Sequence, residues 1–263
     1  MPYRRQWVGF IHNPPGIPDW HEYLSAPQHI LTLPAWRESL PQCHGIFTFS
    51  AAMRDWLASR LQIPVAALIH PTESTARLFR LDRFLSLEQP RIVQIGAWLR
   101  RINSIARLNV ARLRKTCLIP RPDGATYLET LVRREQTHDP AACSADWSSV
   151  DLIQHLDPEA FDELLSCSVV FLDLYDTVVN NTVIECIVRC TPLVCNRLPA
   201  LVELLGEDYP LFFSTLEEAA RKAEDLDLIR AAAKHLQAIP KVPFTGEYFA
   251  RSLAESAIYR GLP

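Results

Sequence analysis

Asn180, Asn181, Thr182 and Glu185 are the side chains in this sequence whose types and spacing most clearly suggest chemistry. An apolar run at 169–174 leads through Asp176 and Thr177 into these four residues. The pattern predicts a strand, a polar loop and a helix opening at Asn180-Asn181-Thr182, with Thr182 and Glu185 at capping-box spacing. A helix N-terminus with free N–H groups at the carboxyl end of a strand attracts anions. Glu185, one turn into the helix, either accepts hydrogen bonds from a ribose or serves only as the capping acid. Asn180 and Asn181 either present amides and side chains to a ligand or merely shape the turn. Read as ligand contacts, these groups suit a nucleotide diphosphate.

Such a loop needs strands to hold it. Residues 6–11, 45–49 and 64–69 are predicted strands, and Ser50 caps a helix to about Leu61. Residues 13–41 are rich in Pro, His and Trp and read as loops and short helical turns. Residues 73–90, charged and irregular, read as an interdomain linker after a partial N-terminal α/β domain at 1–72. From 91 to 240 a second unit alternates apolar strands (91–95, 115–119, 150–155, 169–174, 192–195, 211–213) with helical patterns. The helices are expected around 127–134, after the Asp157-Pro158 cap, at 182 onward, and from Pro199 to Gly206 with Asn196 as a cap. A long one should run from a capping box at Ser214–Glu217 to about Gln237. Residues 241–263 should end in a helix at 248–259 that returns to the first unit or makes a dimer contact. Nearly all-apolar strands alternating with helices predict an α/β fold built on a Rossmann-type, doubly wound parallel sheet.

Composition narrows the function classes. A formal charge of −3 over 263 residues gives no electrostatic case for nucleic acid or an anionic membrane. No apolar run approaches the ~18–20 residues of a transmembrane span, and the N-terminus lacks an apolar signal core. The seven cysteines have no framework spacing and read as reduced thiols of a cytoplasmic protein. Cys186, Cys190 and Cys195 contain no Cys-x-x-Cys and read as core thiols, so no metal and no cofactor is expected.

The order of strand, Asp-Pro-capped helix, strand, polar loop, Asn-opened helix bearing Glu185, and the Thr191-Pro192 strand resembles a known family. It is similar to the donor-binding half of GT-B glycosyltransferases, in particular the retaining enzymes of the glycogen-synthase and sucrose-synthase type. The resemblance covers roughly residues 91–213 and is weaker over 1–72, where only the second half of an acceptor domain is matched. It implies a metal-independent transferase that moves a sugar from a UDP- or GDP-sugar to an unknown acceptor, with retention. Residue by residue, it implies that Glu185 binds the ribose hydroxyls, while Asn180, Asn181 and Thr182 meet the diphosphate or sugar. Arg100, or its neighbour Arg101, would neutralise the leaving diphosphate. His12 would face the donor sugar across the cleft. Asp176 or Thr177 would stand at the first acid of the family's paired-glutamate motif. Eight residues lie between Asp176 and Glu185, one more than in that motif, and Asp176 is the shorter acid.

Plainer readings stand beside these. Arg100 and Arg101 also read as a solvated face, and His12 as a satisfied histidine at a strand end. His70-Pro71 and Glu73 belong to the hinge or line the cleft. Trp20, Trp36, Trp56 and Trp98 pack or stack on sugars. The shortened first unit and the altered acid pair motivate an alternative: a non-catalytic or partner-dependent sugar-nucleotide-binding module, whether as a homodimer or with a complementing chain. A third reading is a sugar-nucleotide epimerase on the same architecture.

Overall fold

The computed structural model describes residues 1–262. Two parallel sheets carry the chain. The first holds β1 (Trp7–Phe10), β2 (Cys43–Thr48) and β3 (Val65–Ala67) in that order. The second holds β4 (Arg91–Ile95), β5 (Arg114–Leu118), β6 (Val150–Ile153), β7 (Ser168–Leu172), β8 (Leu193–Asn196) and β9 (Phe212–Phe213). Its spatial order is β6-β5-β4-β7-β8-β9, and every pairing is parallel. This is the doubly wound arrangement expected from the strand pattern. The winding reverses between β4 and β7, so the carboxyl ends of those two strands frame a crevice.

β7 is central and buried at all five positions, which explains its unbroken apolar sequence. Phe171 stacks on Phe213 with ring centroids 5.7 Å apart. The helix Asn181–Arg189 buries Val183, Ile184 and Ile187 in the same core while Asn181 stays exposed at its start. That burial fixes where the helix N-terminus points, directly past the end of β7.

Several expected local features differ. Thr182 and Glu185 form no capping box: the helix begins at Asn181, and no side chain caps it. The Thr182 hydroxyl instead accepts a hydrogen bond from Arg100, and Glu185 lies beyond the first turn. The second box closes one residue later than expected: Thr215 accepts from the Glu218 N–H, and Glu218 accepts from the Ser214 N–H. The long helix is two, Leu216–Ala223 and Leu226–Ala238, because Asp225 interrupts it and caps the second piece. Asn196 caps nothing; its amide clips Leu174, accepting from the N–H at 3.0 Å and donating to the carbonyl at 2.9 Å.

The sheets are joined by more than the connecting chain. Residues 73–90 include a helix, Leu81–Ser86, and Phe79 and Phe84 lie in the core of the second sheet. Val178, from the loop after β7, is buried among Ile46, Met53 and Leu57 of the first unit. Both carboxylate oxygens of Glu203 sit 2.8 Å from the Ala51 amide at the start of the helix Ala51–Ala58. The closing helices, Gly246–Glu255 and Ala257–Arg260, bring Ile258 against Phe47 and Leu68 of the first sheet. Among the described residues no helix is long and apolar enough to cross a membrane.

Candidate functional site

Three groups of loops meet over the crevice between β4 and β7. After β4 the chain turns at Gly96 (φ 76°) and again at Leu99 (φ 56°), a buried leucine in a region that non-glycine residues seldom occupy. These two left-handed residues fold Arg100 back over its own strand. Arg100 Nε donates to the Ile95 carbonyl at 3.0 Å, and Nη1 donates to that of Trp98 at 2.8 Å. Nη2 reaches the Asn180 Oδ1 at 3.4 Å and the Thr182 hydroxyl at 3.2 Å. All four acceptors are neutral, and among the described residues no carboxylate pairs with this guanidinium. Burial pulls it down to about 10, which still leaves a full positive charge at neutral pH.

After β7 come Asp176, Thr177, Asn180 and Asn181. Asp176 is held by two backbone donors, the Gly16 N–H to Oδ2 and its neighbour Thr177 N–H to Oδ1, both at 2.7 Å. Burial nevertheless raises its carboxyl above the usual range, and those two N–H groups only partly offset the rise. The Thr177 hydroxyl donates to the Val179 carbonyl at 2.9 Å and tightens the loop. The uncapped helix start supplies N–H groups and the positive end of the helix dipole beside Arg100.

The first sheet contributes the third wall. Its three strands end at adjacent positions, and one side chain past each end, His12, Phe49 and His70, lines the same cavity as Arg100 and Asn181. The cavity encloses about 440 Å³, within the usual range for small-molecule sites.

His12, Arg100, Asp176, Thr177, Asn180 and Asn181 are therefore brought together. Thr182 stands behind them, touching Arg100. Arg101 turns away, its Nε 3.5 Å from Asp173 and its guanidinium 4.3 Å over the Tyr175 ring. Glu185 is not on the cavity wall. It accepts from the Thr72 hydroxyl at 2.5 Å and from Arg189, which is buried and also bonded to Asp162 at 2.6 Å. Sequence reasoning does not find Phe49, Leu99 or Val179, though Phe49 carries a usable signal as the residue immediately past β2. Cys186, Cys190 and Cys195 are buried free thiols, and among the described residues no group of three His, Cys, Asp or Glu could hold a metal ion.

No family model matches this sequence, and no curated protein matches it. Solved structures do resemble its fold. Sucrose-phosphate synthase from Thermosynechococcus elongatus superposes with a TM-score of 0.68 at 15% identity, over 98% of this chain and 68% of the other. A UDP-forming α,α-trehalose-phosphate synthase from Burkholderia xenovorans gives 0.61 at 14%, over 98% and 69%. A trehalose-6-phosphate synthase gives 0.62 at 13%, over 97% and 67%. The chain thus spans about two thirds of the length of these proteins. With this strand order, this cleft between two parallel sheets and these structural neighbours, the chain has the fold of the GT-B glycosyltransferases.

Proposed function

We propose that this chain is a glycosyltransferase that takes a sugar from a UDP- or GDP-sugar, with retention, and passes it to an acceptor hydroxyl. The observation that carries the reading is Arg100: a cation enclosed by neutral acceptors, beside an uncapped helix start, on the wall of a ligand-sized cavity. A buried charge without a partner is costly, and a bound anion would complete it. Its neighbours at this fold include enzymes named as UDP-forming.

In the proposed reaction the bond between the sugar's anomeric carbon and the diphosphate oxygen breaks, and its electron pair stays on the diphosphate. Arg100 and the N–H groups at Asn181 and Thr182 meet that developing charge, with Asn180 fixing the guanidinium. The acceptor oxygen forms the new bond, and its proton passes to the released diphosphate. Preorganised donors of this kind typically contribute ~3 kcal/mol each. His12 faces the sugar from the first sheet. Thr177 shapes the loop, and Asp176 positions it through Gly16. Glu185 would read the ribose with the lone pairs that Thr72 and Arg189 leave free, one donor being already on each oxygen. Seven unpaired cysteines fit a reducing, cytoplasmic setting.

A second reading, a partner-dependent or non-catalytic nucleotide-binding module, is favoured by one observation: both Asp176 oxygens are already engaged by backbone N–H groups. Calorimetric titration with UDP and GDP tests the shared premise, and incubation with radiolabelled UDP-glucose or GDP-mannose separates the two. Saturable binding with slow donor turnover supports the transferase. Binding with no turnover in the presence of candidate acceptors supports the module, and no binding of either nucleotide removes both.

A further inference from the structure

We propose that His70 is a specificity-determining residue that reads an oxygen of the donor's sugar, an inference that rests on the donor reading above. His70 follows β3 and lines the cavity, yet its Nδ1 is sealed from solvent and has no hydrogen-bond partner among the described residues. The imidazole is braced by Phe49, whose ring meets it edge-on at 5.1 Å between centroids and 72° between planes. A buried polar atom without a partner is costly, and the cost differs between its two protonation states.

The tautomer follows from that sealed nitrogen. A proton on Nδ1 would create a buried N–H with no acceptor, the rarer kind of orphan in folded proteins. The proton therefore belongs on Nε2, the nitrogen left to the cavity, and His70 offers the ligand an N–H donor. Its place in the fold says which part of the ligand receives it. On the donor reading, Arg100, Asn180 and Asn181 meet the diphosphate end from the second sheet, whereas His70 follows the last strand of the first sheet. A sugar attached to the far phosphate extends toward that first-sheet wall, where its hydroxyl oxygens can accept.

The two ring nitrogens can be imitated separately. Glutamine places its amide near the position of Nε2, asparagine near that of Nδ1, and phenylalanine keeps the packing on Phe49 without any polar atom. Titration of wild type, His70→Gln, His70→Asn and His70→Phe with UDP and with UDP-glucose tests the assignment. UDP affinity is expected to stay within about twofold throughout. UDP-glucose affinity should fall about tenfold in His70→Phe and His70→Asn and recover in His70→Gln, since a site built to donate to a hydroxyl loses that contact. Equal UDP-glucose affinity in wild type and His70→Phe would overturn the inference and leave the donor site standing. Parallel losses for UDP and UDP-glucose in all three variants would also overturn it, making His70 a packing residue. Wild type that binds neither of these ligands, nor GDP and GDP-mannose titrated alongside them, would remove the donor reading itself.

Discussion

The amide of Gly16 donates to Asp176 Oδ2 at 2.7 Å, tying the loop after β1 to the loop after β7 across 160 residues of sequence. A Cβ added to Gly16 would lie 2.5 Å from that same oxygen and 2.9 Å from the Asp176 Cβ. Gly16→Ala should therefore push the two loops apart. The expected result is weaker nucleotide-sugar binding with a modest fall in thermal stability, read by calorimetry and by a melting curve. Asp176→Asn should behave similarly, because its amide group would set a donor against one of the two N–H groups. Unchanged binding in both variants would show that the strut does not shape the cleft.

Arg100→Met should cost about 3 kcal/mol of transition-state stabilisation, a drop of ~10²-fold in kcat, if the guanidinium meets the leaving diphosphate. Its pH dependence has a definite sign. Burial disfavours the charged form and holds it at about 10, below the unfolded value, so without a bound anion the protein gains stability as pH rises through that value. A bound anion favours the charged form and reverses this. The stabilisation conferred by UDP should thus be level at neutral pH and decline as pH rises through about 10. Melting curves with and without UDP across that range measure it, and Arg100→Met should abolish the effect at every pH.

The succession of strands and helices along the chain and the Asn180–Asn181 loop were legible in the sequence because they depend on local signals: apolar runs, helix-opening residues and Thr191-Pro192. The choice between Arg100 and Arg101 was not, because it is settled by the left-handed backbone at Leu99, for which leucine gives no signal. Arg100 turns into the cavity and Arg101 turns out onto Tyr175. The pairing of Glu185 with Arg189 is a visible i,i+4 spacing, but the Thr72 hydroxyl on the other oxygen arrives from 113 residues away. Phe49 and His70 meet in the site because three strands end side by side, a relation that single-strand patterns do not contain even where they mark each strand's end.

Glu185 links the segment after β3 to the second sheet through Thr72 and Arg189, and Arg189 also carries Asp162, which accepts from Thr75 at 2.7 Å. Removing one acid leaves Arg189 buried with the other. Glu185→Ala should lower stability by about 1–3 kcal/mol, the usual consequence of stranding buried hydrogen-bonding groups. It should weaken UDP binding less than Arg100→Met does. Thr72→Val should reproduce part of the stability loss with little effect on UDP. If Glu185→Ala instead leaves the melting temperature unchanged and weakens UDP tenfold or more, the carboxylate reads the ribose and the ion pair is incidental.

Val178 shows how the site depends on contact between the two units. It leaves the loop that holds Asp176 and Thr177 and is 2% exposed within the core of the first sheet, beside Ile46 and Leu57. Burial of a valine side chain there contributes about 1.5–3 kcal/mol, so Val178→Ala should lose about 2 kcal/mol once the residual cavity is included. For a chain of this size that is a fall of about 4–8 °C in Tm. Because Thr177 and Val179 line the cavity on either side of it, the loss should extend to ligand binding, with UDP-glucose affected more than UDP. Val178→Asp, which would place a charge in an apolar core, should uncouple the first sheet from the loop and abolish UDP-glucose binding. A Val178→Ala variant with wild-type Tm and wild-type affinity would mean that the first unit and the loop are positioned independently, leaving Gly16–Asp176 as the contact that sets the cleft.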